Sequence, residues 1–183
     1  MKNILFIVLA FLSATVLSQN MEIVKPSVKK GIDNWRIVND GVMGGVSTSA
    51  MNQNEEKNLL FKGVLSLDNN GGFASCRLNI SEIDLRNVKS FSLKIKGDGK
   101  VYKFRISDGT RYVNYSFSFE TINGMWSNVK IPLEVLKPTV MGYSSPSSPR
   151  LIIENMKSIG FLISDKQEGP FNLEIMSVEA LLN

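Results

Sequence analysis

Five stretches of this chain alternate apolar and polar side chains with a period of two. Phe91, Leu93 and Ile95 are interleaved with Ser92, Lys94 and Lys96; Tyr102, Phe104 and Ile106 with Lys103 and Arg105. Val113, Tyr115, Phe117 and Phe119 are interleaved with Asn114, Ser116 and Ser118. Ile159, Phe161 and Ile163 follow the same rule, and so do Phe171, Leu173 and Ile175. A strand sends successive side chains to opposite faces, so each run presents one apolar face that must be covered. One-faced strands cover one another as two packed sheets. The expected fold is therefore all-β, a single antiparallel β-sandwich of eight or nine strands joined mostly by hairpins. Glycine-bearing turns punctuate it at Asp68-Asn69-Asn70-Gly71-Gly72, Gly97-Asp98-Gly99, Asp108-Gly109-Thr110, Asn123-Gly124 and Lys166-Gln167-Glu168-Gly169-Pro170. The Gly97-Asp98-Gly99 turn reads as a tight hairpin. Helix signals are confined to single turns at 81–85 and 134–136. Residues 139–150, with Gly142, Pro146, Pro149 and four serines, read as a long polar loop of the kind that carries contacts.

The N-terminus has a different composition. Lys2 precedes an apolar run at 4–17 that only Ser13 and Thr15 interrupt. The run is shorter than the roughly 20 residues of a spanning helix. It reads as a signal peptide over 1–18, cut after Ser18, with an uncleaved anchor as the competing reading. The address it predicts is exported, periplasmic or extracellular, with no membrane span after cleavage. Removing 18 of the 183 residues leaves 165, enough for one domain to bury about 70% of its unfolded surface. Residues 19–31 read as a loose N-terminal arm and 32–183 as the sandwich domain.

Two scarce residue types narrow the chemistry. Cys76 is the single cysteine, so no internal disulfide supports the core, and a thiol within a strand reads as a buried small hydrophobe rather than a nucleophile. There is no histidine, which removes Ser-His-Asp and Cys-His catalysis and ordinary zinc, copper or iron sites. No catalytic residue, metal ligand or cofactor is assigned. The net charge of +4 is spread among acids rather than clustered, which argues against a nucleic-acid footprint.

The most unusual composition lies at Asp40-Gly41-Val42-Met43-Gly44-Gly45-Val46-Ser47. Two readings stand side by side. In one, Asp40 and exposed amides hold a ligand, and Gly44 and Gly45 allow its approach. In the other, Asp40 bonds backbone amides in a packed loop and Met43 plugs the space between the sheets. Asn69 and Asn70 are oxygen ligands in one reading and a positive-φ turn in the other. Trp35 is a stacking surface or a core residue. Trp126 reads as buried, Arg105 and Arg111 as residues of a solvated face, and 165–168 as a charged turn. Trp35, Asp40, Met43, Gly44, Gly45, Asn69 and Asn70 form the candidate ligand- or partner-binding set. Asp40, Asp98, Asp108, Glu120 and Asp165 fall at turns or strand ends, and none carries the mark of a paired catalytic acid.

Taken in order, several motifs resemble one family. They are Trp35 with Asn39-Asp40-Gly41-Val42-Met43-Gly44-Gly45-Val46-Ser47; Phe61-Lys62-Gly63 with Asn69-Asn70-Gly71-Gly72-Phe73-Ala74-Ser75; and Gly97-Asp98-Gly99-Lys100-Val101-Tyr102. Trp126 with Ile131-Pro132, Ser158-Ile159-Gly160-Phe161-Leu162-Ile163 and Gly169-Pro170-Phe171-Asn172-Leu173-Glu174-Ile175 complete the set. This order, from about 32 to about 181, resembles the NADH:ubiquinone oxidoreductase complex I intermediate-associated protein family. The resemblance implies a galactose-binding-like jelly roll and, for the mitochondrial members, a role as assembly factors for respiratory complex I. It brings no catalytic set.

The expected function is thus an exported, non-catalytic binding module, an assembly or chaperone-like factor with a protein partner. A carbohydrate-binding jelly roll with a glycan ligand is the alternative. A glycan-active enzyme using two carboxylates is the weaker one.

Overall fold

The computed structural model describes residues 20–24, 32, 34–110 and 112–182; the expected signal segment at 1–18 and Arg111 lie outside the described residues. Among the described residues thirteen strands form two antiparallel sheets. The first sheet runs β3 (Thr48–Gln53), β4 (Leu59–Leu65), β13 (Gly169–Leu181), β6 (Ser90–Lys96), β9 (Trp126–Pro132). The second runs β11 (Tyr143–Ser144), β10 (Lys137–Val140), β8 (Val113–Glu120), β7 (Val101–Ser107), β12 (Ser158–Ile163), β5 (Ala74–Asn79), β2 (Trp35–Asn39). Within the expected N-terminal arm, β1 (Met21–Val24) pairs with β13 and buries Val24.

The alternating runs put their apolar parity into the space between the sheets. Phe91, Leu93 and Ile95 are fully buried, as are Tyr102, Phe104 and Ile106. A chain of rings ties the layers together. Trp35 stacks on Phe161 at 6.2 Å, Phe161 meets Phe104 edge-on at 5.7 Å, and Phe104 meets Phe91 of the opposite sheet at 5.2 Å. Offset and edge contacts of this kind add to what area burial alone gives. Cys76 is fully buried within β5, and burial pushes its thiol well above the ordinary range.

The connections depart from the hairpin expectation. Asp108-Gly109-Thr110 joins β7 and β8, which are paired neighbours. The Gly97-Asp98-Gly99 turn instead carries the chain from β6 in the first sheet to β7 in the second. Asp98 serves long-range bonds there. Its carboxylate accepts from the Lys100 amide (3.1 Å), the Tyr102 hydroxyl (3.0 Å) and the Asn172 amide of β13 (2.8 Å). A glycine-flanked aspartate signals positive φ, met at Gly99 (φ +91), but not which strand comes next. The 68–72 turn likewise crosses between sheets, from β4 to β5. Crossing rather than folding back is what makes the sandwich a jelly roll. The strand count exceeds eight or nine because short strands escape periodicity. The loop expected at 139–150 contains the end of β10, which pairs with the two-residue β11.

Trp126 corrects the expectation of burial: it is 37% exposed. In β9, Ile131 faces the core, so the even-numbered positions 126, 128 and 130 point outward by strand parity. The Lys96 ammonium lies 4.9 Å from the Trp126 ring centre. Among the described residues no helix is long and apolar enough to cross a membrane.

Candidate functional site

Asp40 is completely buried at the start of a 3-10 turn, Asp40–Met43, that follows β2. Its Oδ1 accepts from the Ser47 amide at 2.9 Å. Its Oδ2 accepts from the Ser47 hydroxyl and from the amides of Gly72 (2.7 Å) and Phe73 (3.3 Å). Burial alone would raise this carboxyl; the Ser47 hydroxyl and the three amides outweigh it and hold Asp40 below its ordinary value. Four donors around one carboxylate satisfy what an isolated buried charge would demand.

The glycines around it make that enclosure possible. A β-carbon on Gly45 would come 2.4 Å from Asp40 Cγ, and one on Gly71 would come 2.7 Å from Asp40 Oδ2. Gly44 sits at φ +91 where the 3-10 turn ends, a conformation that glycine adopts without steric cost. The Asn69 amide donates to the Gly44 carbonyl at 3.2 Å, and Asn69 and Asn70 hold positive φ of 54° and 59°. The two asparagines are therefore turn residues, and one of them also clasps the first loop.

Met43 is not between the sheets. It is 71% exposed, and its neighbour Val42 is 73% exposed. The 3-10 turn buries Asp40 on one side and so displays the following residues on the other. Trp35 is the reverse case: only 8% exposed, with an indole N–H that has no hydrogen-bond partner among the described residues. Its ring face belongs to the core and is not displayed for stacking.

The exposed side of the second sheet is grooved, with a volume of about 570 Å³. One rim is Val42 and Met43, beside Gly71 and Gly72. The other is Met141 and Tyr143 from the β10–β11 turn, with Tyr112; Met141 is 76% and Tyr143 79% exposed. The glycine loop and the 139–150 segment, far apart in sequence, thus face one another across a single hollow. Its floor holds Arg77, Lys103 and Arg105 among Ser107, Asn114 and Ser116. Lys103 pairs with Asp165 at 2.7 Å. Arg105 is half-buried rather than on a solvated face. Burial, then the nearby Arg77, pushes it down to about 10; burial, then Arg36, lowers Arg77.

Arg77 and Tyr112 were not among the candidate residues, and Met141 and Tyr143 were included only as part of the 139–150 loop. Arg77 follows the buried Cys76 in β5 and so has the opposite parity. What a single strand cannot show is that β5, β12 and β7 lie side by side. Two of the other turn acids are engaged by donors from the protein. Asp98 bonds as described above, and Asp108 accepts from Thr110 and from the Tyr115 hydroxyl (3.3 Å). Among the described residues no three acidic or thiol side chains cluster as a metal site.

The family model described as Complex I intermediate-associated protein 30 matches residues 24–175. The Mus musculus protein named Complex I intermediate-associated protein 30, mitochondrial, is 28% identical over 170 residues, 80% of this chain and 52% of that protein. The Caenorhabditis elegans protein named as probably the same is 28% identical over 166 residues, 79% of this chain and 49% of its own length. The chain thus spans about half the length of these relatives. Among solved structures, a family 11 carbohydrate-binding module from Clostridium thermocellum in complex with a β-1,3-1,4-mixed-linked tetrasaccharide superposes with a TM-score of 0.65. It is 16% identical, over 88% of this chain and 94% of that one. The family 11 module of a cellulosomal cellulase of the same organism gives 0.67 at 16% identity, over 90% and 95%. At such identities the likeness establishes the jelly-roll fold alone.

The relatives are named mitochondrial, which overturns the expected exported, periplasmic or extracellular address. That expectation rested on residues 1–18 alone. A basic residue before a short apolar run reports hydropathy, and hydropathy does not encode a destination.

Proposed function

The chain belongs to the complex I intermediate-associated protein 30 family, and from that membership we propose that it is a non-catalytic module that binds a protein partner in the assembly of respiratory complex I. The observation that carries this reading is the exposed apolar rim of the groove. Val42, Met43, Met141 and Tyr143 are each more than two-thirds exposed and flank one hollow. Large apolar side chains gathered on a surface mark contact sites when they are grouped rather than scattered. The loop that displays Val42 and Met43 is held by the buried Asp40 cluster, so little ordering cost falls on binding.

The test is a tagged chain purified from its host, wild type beside the double variant Met43→Asp, Met141→Asp. Complex I subunits should co-purify with the wild type and be lost from the variant at an unchanged melting temperature, because both side chains are exposed. Equal recovery of those subunits by both proteins, or recovery by neither, would sink the proposal.

A second reading places an oligosaccharide in the same groove. The neighbouring folds include carbohydrate-binding modules, and Tyr112 and Tyr143 line the hollow among hydroxyl and amide side chains. Titration with a mixed-linked β-glucan tetrasaccharide, wild type against Tyr143→Ala, decides it. Binding that disappears in the variant supports a glycan, and absence of heat in the wild type rejects it.

A further inference from the structure

The groove floor carries positive charge that the fold itself does not use. Across the second sheet Arg36 is opposite Arg77, Arg77 is opposite Gly160, Gly160 is opposite Arg105, and Arg105 is opposite Ser116. Lys137 faces Ser116 from the far side. Three guanidinium side chains and an ammonium therefore share one row on one face. Like charges set directly opposite in a sheet are destabilising. Among the described residues, Arg36, Arg77 and Arg105 have no side-chain hydrogen bond or ion pair, and the one carboxylate lining the groove, Asp165, is taken by Lys103.

Gly160 gives this row its shape. Neighbouring strands lie about 4.8 Å apart, so the Arg77 and Arg105 backbones stand about 10 Å apart with residue 160 between them. A β-carbon at 160 would come 2.2 Å from the Cys76 carbonyl oxygen, so that position carries no side chain. The gap holds a hollow of about 10 Å³, which shares Arg77, Arg105, Ser107 and Asn114 with the larger groove. That is close to the space of one water molecule. Two half-buried cations thus flank a notch whose lining includes Ser75, Ser107, Ser158 and Asn114 beside apolar residues, without a counter-ion.

We propose that the groove binds a phosphate-bearing small molecule, its phosphoryl group held between Arg77 and Arg105 over Gly160 and its less polar remainder lying along Tyr112, Met141 and Tyr143. Charge and valence select phosphate within the oxyanions. A carboxylate carries one charge and so leaves one of two guanidinium charges unmatched. A phosphate monoester carries about −1.5 to −2 at pH 7 and has three strong acceptor oxygens. It can satisfy two guanidinium groups and still accept from Ser107, Asn114 or Ser116. The groove volume of about 570 Å³ falls in the range of small-molecule sites. Burial first, and then a neighbouring arginine, lowers both Arg77 and Arg105 from their ordinary value. This inference goes beyond the assembly reading and is independent of it, since it is tested on the purified chain alone.

The experiment is calorimetric titration of the full chain with phenyl phosphate, inorganic phosphate and benzoate, for wild type, Arg77→Met and Arg105→Met. Phenyl phosphate should bind saturably and more tightly than inorganic phosphate, with benzoate at least tenfold weaker. Each substitution should weaken phenyl phosphate at least tenfold while leaving the melting temperature of the ligand-free protein unchanged or higher, because repulsion is relieved. Lys94→Met, on the other sheet, should change nothing. Vesicles containing phosphatidic acid separate the sources: binding to them in addition to phenyl phosphate places the phosphate on a lipid. Vesicle binding without phenyl phosphate binding overturns the proposal. So does the absence of any saturable phosphate binding, affinity that survives both arginine substitutions, or tighter binding of hexaglutamate than of phenyl phosphate.

Discussion

Replacing Asp40 by Asn removes one charge with almost no change of shape, so its cost measures what the buried carboxylate contributes. Oδ1 accepts one bond and Oδ2 accepts three. An amide can offer an oxygen at only one of these positions. The cheaper orientation keeps the oxygen in place of Oδ2 and turns an NH₂ toward the Ser47 amide. One buried donor is then orphaned, at about 1–3 kcal/mol, and the three surviving bonds fall from the charge-assisted class, about 1.5–3 kcal/mol, to the neutral class, about 0.5–1.5. Relief from burying a charge offsets part of this. The expected loss is about 3 kcal/mol at pH 7, or about 6–12 °C in Tm for a chain of this size. The sign of the pH dependence follows from the direction of the shift. Asp40 is held below its ordinary value, so its contribution is fully present above the ordinary carboxylate value near 4 and is lost as pH falls through the folded value. Asn has no such dependence. Urea denaturation of both proteins at pH 7, 5, 4 and 3 should therefore give a gap that is constant down to about pH 5 and narrows below pH 4. A gap under about 1 kcal/mol at pH 7, or one unchanged at pH 3, would refute the reasoning.

The glycines near Asp40 should separate into two kinds in the same assay. Gly45→Ala and Gly71→Ala press a methyl group onto the carboxylate and should cost about 1–3 kcal/mol each; Gly41→Ala meets open space and should stay within about 0.5 kcal/mol of wild type. Glu174 is 4% exposed and accepts from Asn54 (2.8 Å) and Asn58 (2.7 Å) while pairing with Lys96 at 2.6 Å. Burial would raise Glu174, but Lys96 and the asparagines hold it below its ordinary value, so Glu174→Gln should cost about 1.5–3 kcal/mol at pH 7 and less below pH 4; equal stability at pH 7 contradicts this. Cys76 should take up no thiol reagent in native buffer and one equivalent in denaturant, since it is fully buried and its thiol is pushed up; rapid labelling of the native protein would show that the strand opens.

What the sequence disclosed follows from how each interaction is encoded. The faces of β6, β7 and β8 are written in local alternation, so the buried sets Phe91-Leu93-Ile95 and Tyr102-Phe104-Ile106 were legible from period alone. The bonding of Asp40 to backbone amides was legible too, because an aspartate beside clustered glycines has few other roles. The position of Met43 was not. Its side depends on the pitch of a 3-10 turn, which no alternation records. The hairpin at 97–99 was misjudged for a related reason: turn residues report the local φ, and the choice between folding back and crossing over rests on bonds to Asn172, 74 residues away. Trp126 opens the strand that ends at Ile131-Pro132, which suggests burial, but its parity is opposite to that of the buried Ile131. Arg105 reads from its strand alone as a residue of a solvated face, and Arg77 carries no signal of its own. Only the strand order β5, β12, β7 brings them to one notch.

The glycine loop and the arginine row are mechanically linked. The Asp40 cluster joins the end of β2 to the turn before β5, since its donors come from Ser47, Gly72 and Phe73. β2 and β5 are adjacent, and they carry Arg36 and Arg77. Anything that loosened the cluster would therefore free the Val42–Met43 rim and the end of the sheet on which two of the cations stand. Holding like charges together requires strands that cannot splay, and a charge-assisted cluster closing the strand ends supplies that restraint. The glycine loop then acts as a mount: with the Asp40 oxygens engaged by Ser47, Gly72 and Phe73, it fixes the geometry of the groove whose outer edge it forms. On this argument the loss of stability in Asp40→Asn and the loss of phosphate affinity in Arg77→Met are separate effects that meet at β5. The double variant should be less than additive in affinity, since the loosened strand has already lost part of the notch that Arg77 serves.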